Sequence, residues 1–158
     1  MLTIDLIEMG LPKAHQYLLG AVGPRPICFA STVDEKGIAN LAPFSFFNVF
    51  SSNPPIAVFS PSRSGRTGAH KDTFNNINKV NEVVINLVDY SMVEQMSLAS
   101  SPYGPDVDEF IKSGLTPIES ETVKPFRVKE SPVQLECEVI EVKELGQKGG
   151  SGNLIVCK

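Results

Sequence analysis

The hydrophobic patterning along the 158 residues predicts a mainly β fold, an antiparallel barrel or sandwich with appended helices. Two observations carry this expectation. A helical segment is followed by several short strands, a cluster of helices and then more strands, without the regular βαβ alternation that a parallel sheet requires. The stretch from Val133 to Leu145 sets Val133, Leu135, Cys137, Val139 and Val142 against glutamates, the pattern of a strand with one wet face. The length suits one domain, residues 1–158, built on one core.

The elements follow in order. Leu11 to Leu19 reads as a short helix, and Pro24 and Pro26 forbid its continuation and push the backbone to extended geometry. A strand from Ile27 to Val33 then meets Asp34-Glu35-Lys36-Gly37, a turn with glycine where φ turns positive. Ile38 to Phe50 reads as strand, irregularity and strand, with Pro43 suited to an edge or a bulge, and Ile56 to Ser60 is another short strand. Pro61 to His70 has hardly any apolar residue and marks a surface loop. Phe74, Ile77 and Val80 recur every three residues, the spacing of a helix from Asp72 to Asn81. Val83 to Val88 is β-branched strand, and Met92 to Ala99 and Val107 to Lys112 suit helices, the second stopped by Gly114. Thr116 to Ser131 is mixed loop and extended chain. Gly146 to Gly152 turns the Val133–Leu145 strand back into Leu154–Cys157 as an antiparallel hairpin.

Composition narrows the function classes. With 42% hydrophobic and 20% charged residues the chain is expected to fold as a globule. No run approaches the ~18 apolar residues that cross a bilayer, and the start, MLTIDLIEMG, lacks the basic region and apolar stretch of a signal peptide, so a cytoplasmic protein without a membrane partner is expected. Cys28, Cys137 and Cys157 are odd in number and widely spaced, which fits buried reduced thiols, and with His15 and His70 as the only histidines no metal site is expected. The net charge of −4 argues against a nucleic-acid partner. It conceals a segment from Gly20 to Asn81 with a net charge of +3, enough for a small anionic ligand.

There is no P-loop, no GxGxxG after a strand and no GxSxG, so no catalytic side chain is singled out and any reaction is expected to belong to a bound cofactor. The densest set of anion ligands is SPSRSGRTGAHKDT, Ser60 to Thr73, which runs into a helix start and offers guanidinium forks, hydroxyls and free N–H groups. A phosphate monoester suits it; solvated surface arginines explain it equally well. The second cluster is NLAPFSFFN, Asn40 to Asn48, where Pro43 interrupts the ladder and leaves backbone groups free to read a planar heterocycle. The alternative is that its phenylalanines are core and interface residues.

Four motifs in order, PRPI into a strand, NLAPFS, KDTFNNI and ESPVQLEC, resemble the flavin reductase-like proteins of the FMN-binding split-barrel superfamily, over about Leu18 to Cys157. The resemblance implies an antiparallel split β-barrel that forms a homodimer and holds FMN near the subunit interface. It implies that Ser31 and Thr32 end a strand facing the flavin, that Asn40, Ala42, Pro43, Phe44 and Ser45 line the isoalloxazine and ribityl chain, and that Ser60, Arg66, Lys71, Asp72 and Thr73 hold the phosphate end, with His70 nearby. Asp72 is better suited to capping its helix or binding a ribityl hydroxyl than to phosphate. Phe44, Phe46, Phe47 and Phe50 are the expected source of dimer area.

Family members usually continue beyond the strand matching Leu154–Cys157, so the domain is expected to lack its C-terminal elements and to leave an unpaired sheet edge there. The expected activity is transfer of electrons from NAD(P)H through FMN to free flavin or another acceptor. The alternative is an FMN-binding electron carrier, without NAD(P)H reductase activity, that works with an electron-transfer partner.

Overall fold

The computed structural model describes residues 1–104 and 107–158, which form four α-helices, a short 3-10 helix at Tyr90–Met92 and nine strands. Helix α1 is Leu11–Ala21, strands β1 to β4 are Cys28–Val33, Ala39–Phe44, Phe47–Ser52 and Pro55–Phe59, and α2 is Asp72–Val80. Strand β5, Glu82–Leu87, precedes α3, Val93–Ala99, and α4, Glu109–Ser113. A small ribbon, β6 (Pro117–Ile118) with β7 (Arg127–Val128), leads to β8, Gln134–Glu144, and β9, Asn153–Cys157.

Seven strands make one antiparallel sheet in the order β2-β1-β5-β8-β9-β4-β3. Its two edge strands are consecutive in the chain, joined only by Ser45 and Phe46, so the sheet must curl to bring them together. At this seam the Ser60 N–H donates to the Phe46 carbonyl at 2.9 Å, and the Phe44 and Phe59 rings lie 5.6 Å apart. Strand β8 makes the curl possible. Its first half pairs with β5 and its second half with β9, across a bulge between Val139 and Glu141 that bends the strand from one half of the barrel to the other.

Two cores use opposite faces of β1, whose residues are all buried. Cys28 and Ala30 point into the barrel with Phe47, Phe59, Ile85 and Ile155, while Phe29 points outward to Leu41, Met92, Phe110 and Val128 beneath α3 and α4. Helix α2 closes the barrel with Phe74 and Ile77 and ends at Asn81 in the left-handed conformation, φ 58°. Fully buried Asn86 links β1 to β7 within the outer core, its Nδ2 donating to the Phe29 carbonyl at 3.0 Å and its Oδ1 accepting from the Val128 N–H at 2.8 Å. The three cysteines are buried and free, as the sequence predicts.

The predicted turn at Asp34 forms, with Oδ1 accepting from the N–H groups of Lys36 and Ile38, both at 2.8 Å, and Gly37 at φ 83°. Two expectations need correction. Strand β9 lies between β8 and β4, so Leu154–Cys157 is interior to the sheet and leaves no edge; the edges are β2 and β3. The phenylalanine cluster is also divided: Phe47 faces the barrel core, whereas Phe50 is 69% exposed on β3, at the register shift between Val49 and Ser51 where it has no partner on β4. Among the described residues no helix is long and apolar enough to cross a membrane.

Candidate functional site

A cleft of about 410 Å³ opens along the free edge of β2, within the size range of small-molecule and cofactor sites. Its floor is Asn40, Ala42, Pro43, Phe44 and Ser45; Ser60, Ser62, Lys71, Asp72 and Thr73 form one end, and Ala99 to Tyr103 with Glu109 form the other. His15 and Leu19 of α1 reach its mouth beside Phe46.

The free edge follows from register. The Leu41 N–H donates to Glu109 Oε2 at 3.2 Å, so Leu41 turns its backbone away from β1. Pro43, two residues on, has the same orientation, and its missing N–H costs the ladder no bond. The sequence cue of a proline interrupting NLAPFS thus marks the side of β2 that a ligand can approach.

A polar network fixes α2 against this edge. Asn40 Nδ2 donates to Thr73 Oγ1 at 2.9 Å and to Thr32 Oγ1 at 3.3 Å, and Asn76 Nδ2 donates to the same Thr32 oxygen at 3.2 Å. The helix begins without a side-chain cap, the N–H groups of Phe74 and Asn75 both bonding to the Lys71 carbonyl at 3.0 and 3.1 Å. The N–H groups of Asp72 and Thr73 belong to the first turn and have no intrahelical acceptor, which makes this end of the cleft attractive to an anion.

Of the twelve residues assigned to the site from sequence, nine line the cleft: Asn40, Ala42, Pro43, Phe44, Ser45, Ser60, Lys71, Asp72 and Thr73. Three do not. Ser31 and Thr32 are fully buried neighbours on β1, so their side chains take opposite faces; Thr32 holds the Asn40–Asn76 network, and Ser31 Oγ lies in the interior without a hydrogen-bond partner. Arg66 sits exposed in the turn closed by the Gly68 N–H to the Ser64 carbonyl at 2.8 Å. His70 is turned away as well, stacked on Phe74 at 3.9 Å with Nε2 3.7 Å from Glu144. Arg63, one of the guanidiniums that make the loop look like an anion site, points instead at Glu144 (2.6 Å) and the Gly68 carbonyl (3.0 Å). Among the described residues, Lys71 is therefore the one lysine or arginine that lines the cleft.

Sequence reasoning missed Glu109, His15 and the Ala99–Tyr103 wall. Glu109 lies 68 positions from its partner Leu41, and no local pattern links them. Half-burial pushes the Glu109 carboxyl above its ordinary range, partly offset by the Leu41 N–H, with Asp108 and Asp72 adding to the rise.

A split antiparallel barrel whose open edge carries a cleft with one anion-attracting end defines the class of protein. The flavin reductase like domain model matches residues 21–158, and the chain belongs to that family. It is 40% identical over 136 residues to an uncharacterized protein of Halalkalibacterium halodurans, covering 86% of this chain and 65% of the relative, so it spans about two thirds of that protein's length. Among solved structures it is similar to nitrilotriacetate monooxygenase component B from Bacillus cereus, with 31% identity, a TM-score of 0.93, and 100% and 78% of the two chains covered. It also resembles the Pseudomonas fluorescens 2-nitrobenzoate 2-nitroreductase, with 25% identity, a TM-score of 0.87, and coverage of 99% and 73%.

Proposed function

We propose that the cleft binds FMN non-covalently, phosphate toward Ser60 and Thr73, and that the protein is an oxidoreductase moving electrons from NAD(P)H through the bound flavin to free flavin or another acceptor. The observation that carries this reading is the convergence on one cleft of the outer edge of β2, to which no further strand of the sheet pairs, and an uncapped helix start. The family and the two structural neighbours named for redox enzymes support it.

The residues fit the group. The outward carbonyl of Pro43 is an acceptor for the polar edge of a planar ring, and Ala42 and Phe44 supply apolar contact. The hydroxyls of Ser60 and Thr73, the first N–H groups of α2 and the Lys71 ammonium match a phosphate dianion. Asp72, beside Lys71, suits a ribityl hydroxyl. FMN supplies the redox chemistry when bound. The protein positions the ring, offsets the phosphate charge with Lys71 and bounds one side of the cleft with Ala99 to Tyr103.

We also propose that the protein works as a homodimer with the cleft near the interface. Strand β3 leaves its outer edge unpaired and exposes Val49 and Phe50 close to Phe46, which lines the cleft.

Loading with FMN, removing free flavin and adding NADH or NADPH without oxygen tests the activity. Retained flavin absorption that bleaches with either nucleotide is expected. Retained flavin that bleaches only with a protein reductant overturns the reductase reading in favour of an electron carrier; loss of flavin on removal of the excess overturns both.

A further inference from the structure

The tip of the β8–β9 hairpin does not line the cleft, yet it is moulded onto the loop that does. The Asn153 N–H donates to Ser60 Oγ at 3.0 Å, and Asn153 Nδ2 donates to the Pro61 carbonyl at 2.7 Å. The Arg63 N–H donates to the Ser151 carbonyl at 2.9 Å, and the Gly150 N–H returns a bond to the Arg63 carbonyl at 3.0 Å. Glu144 closes the other side by its 2.6 Å pair with Arg63.

Two glycines make this fit possible. A Cβ on Gly152 would lie 2.7 Å from Ser60 Oγ, and one on Gly149 would lie 2.9 Å from the Ser64 carbonyl oxygen and 3.0 Å from that of Gly65. At Gly149 the loop backbone leaves no room for a side chain, whereas at Gly152 a methyl group fits only by displacing the Ser60 hydroxyl. Asn153 is fully buried, and Ser60, 8% exposed, is among the residues that line the cleft.

A hydroxyl oxygen that already accepts one N–H is left with its own O–H to donate. The Asn153 N–H fixes Ser60 Oγ as an acceptor on the hairpin side, and because Ser60 lines the cleft its O–H is left free to donate to a ligand there. We propose that Gly152 and Asn153 are positioning residues that hold the Ser60 hydroxyl as a donor to the ligand's phosphate and so set the preference for a phosphorylated flavin over its unphosphorylated form. This rests on the reading that the Ser60–Thr73 end receives phosphate.

Kd values for FMN and riboflavin, from quenching of flavin fluorescence, test the proposal in the full chain and in Gly152→Ala, Ser60→Ala and the double variant. The wild-type protein is expected to prefer FMN. Ser60→Ala should weaken FMN about tenfold, the worth of a hydrogen bond to a charged group, and leave riboflavin unchanged. Gly152→Ala, whose methyl displaces the Ser60 hydroxyl, should do the same, and in the Ser60→Ala background it should add nothing. A Gly152→Ala effect equal on both flavins, absent altogether, or undiminished without the hydroxyl overturns the proposal. Should Gly152→Ala fail to fold, Gly149→Ala, which pushes the loop at Ser64 and Gly65, should show the same selective loss; an equal loss on both flavins, or none, counts against the proposal. A wild-type protein that binds both flavins equally removes the phosphate reading itself, a result distinct from the others.

Discussion

Lys71 and Arg66 lie five positions apart in one loop and look alike as phosphate ligands, but only Lys71 reaches the cleft. Lys71→Ala is expected to weaken FMN about three- to tenfold, in the range of one exposed charge-assisted contact, with the difference shrinking as salt is added. Arg66→Ala should leave FMN affinity unchanged, and parallel titrations of the two variants check the contrast. Glu109 supplies a pH prediction for the ligand-free protein. Its folded-state pKa lies above the ordinary 4.5, so at pH values between the two the folded protein holds a proton that the unfolded chain has lost. Stability contributed by the protonated carboxyl is full below that value and falls as pH rises through the folded pKa. Glu109→Gln keeps an acceptor for the Leu41 N–H and carries no charge. It should therefore melt higher than wild type at neutral pH, with the gain vanishing in acid, as thermal melts across the range will show. The residue types at this site were legible because the Ser60–Thr73 string and the NLAPFS segment are local. Their side-chain directions were not, since Arg63 and His70 are turned from the cleft by Glu144, and Glu144 is distant in sequence.

At the scale of elements, period and punctuation located the strands and helices to within a few residues. The helix expected at Asp72–Asn81 is α2 at Asp72–Val80, and the long alternating strand is β8. Register and order were not legible, because they depend on pairing between strands far apart in the chain: nothing local in Leu154–Cys157 shows that β9 is interior, between β8 and β4. Helix α2 links fold to site. Ile77 is fully buried in the barrel core and holds the helix whose first turn faces the cleft. Ile77→Ala is expected to destabilise the protein by about 2–5 kcal/mol in urea unfolding, the range for emptying a buried aliphatic site.

For the molecule as a whole, the curl of the sheet divides the phenylalanines between two duties, one inside the barrel and one on its surface. Phe47→Asp places a charge in the core and should unfold the chain, whereas Phe50→Asp should leave it folded and convert the proposed dimer to a monomer in sedimentation equilibrium. A discrete dimer retained by Phe50→Asp would place the interface elsewhere. The central claim is that the free edge of β2 and the start of α2 together make a flavin site. Calorimetric titration with FMN tests it most directly. The account predicts saturable binding of one FMN per chain, together with a concentration-dependent rise in stability reaching about 2.7 kcal/mol at ~100 times Kd. A folded protein that gives no saturable heat with FMN and no change in melting temperature would contradict it.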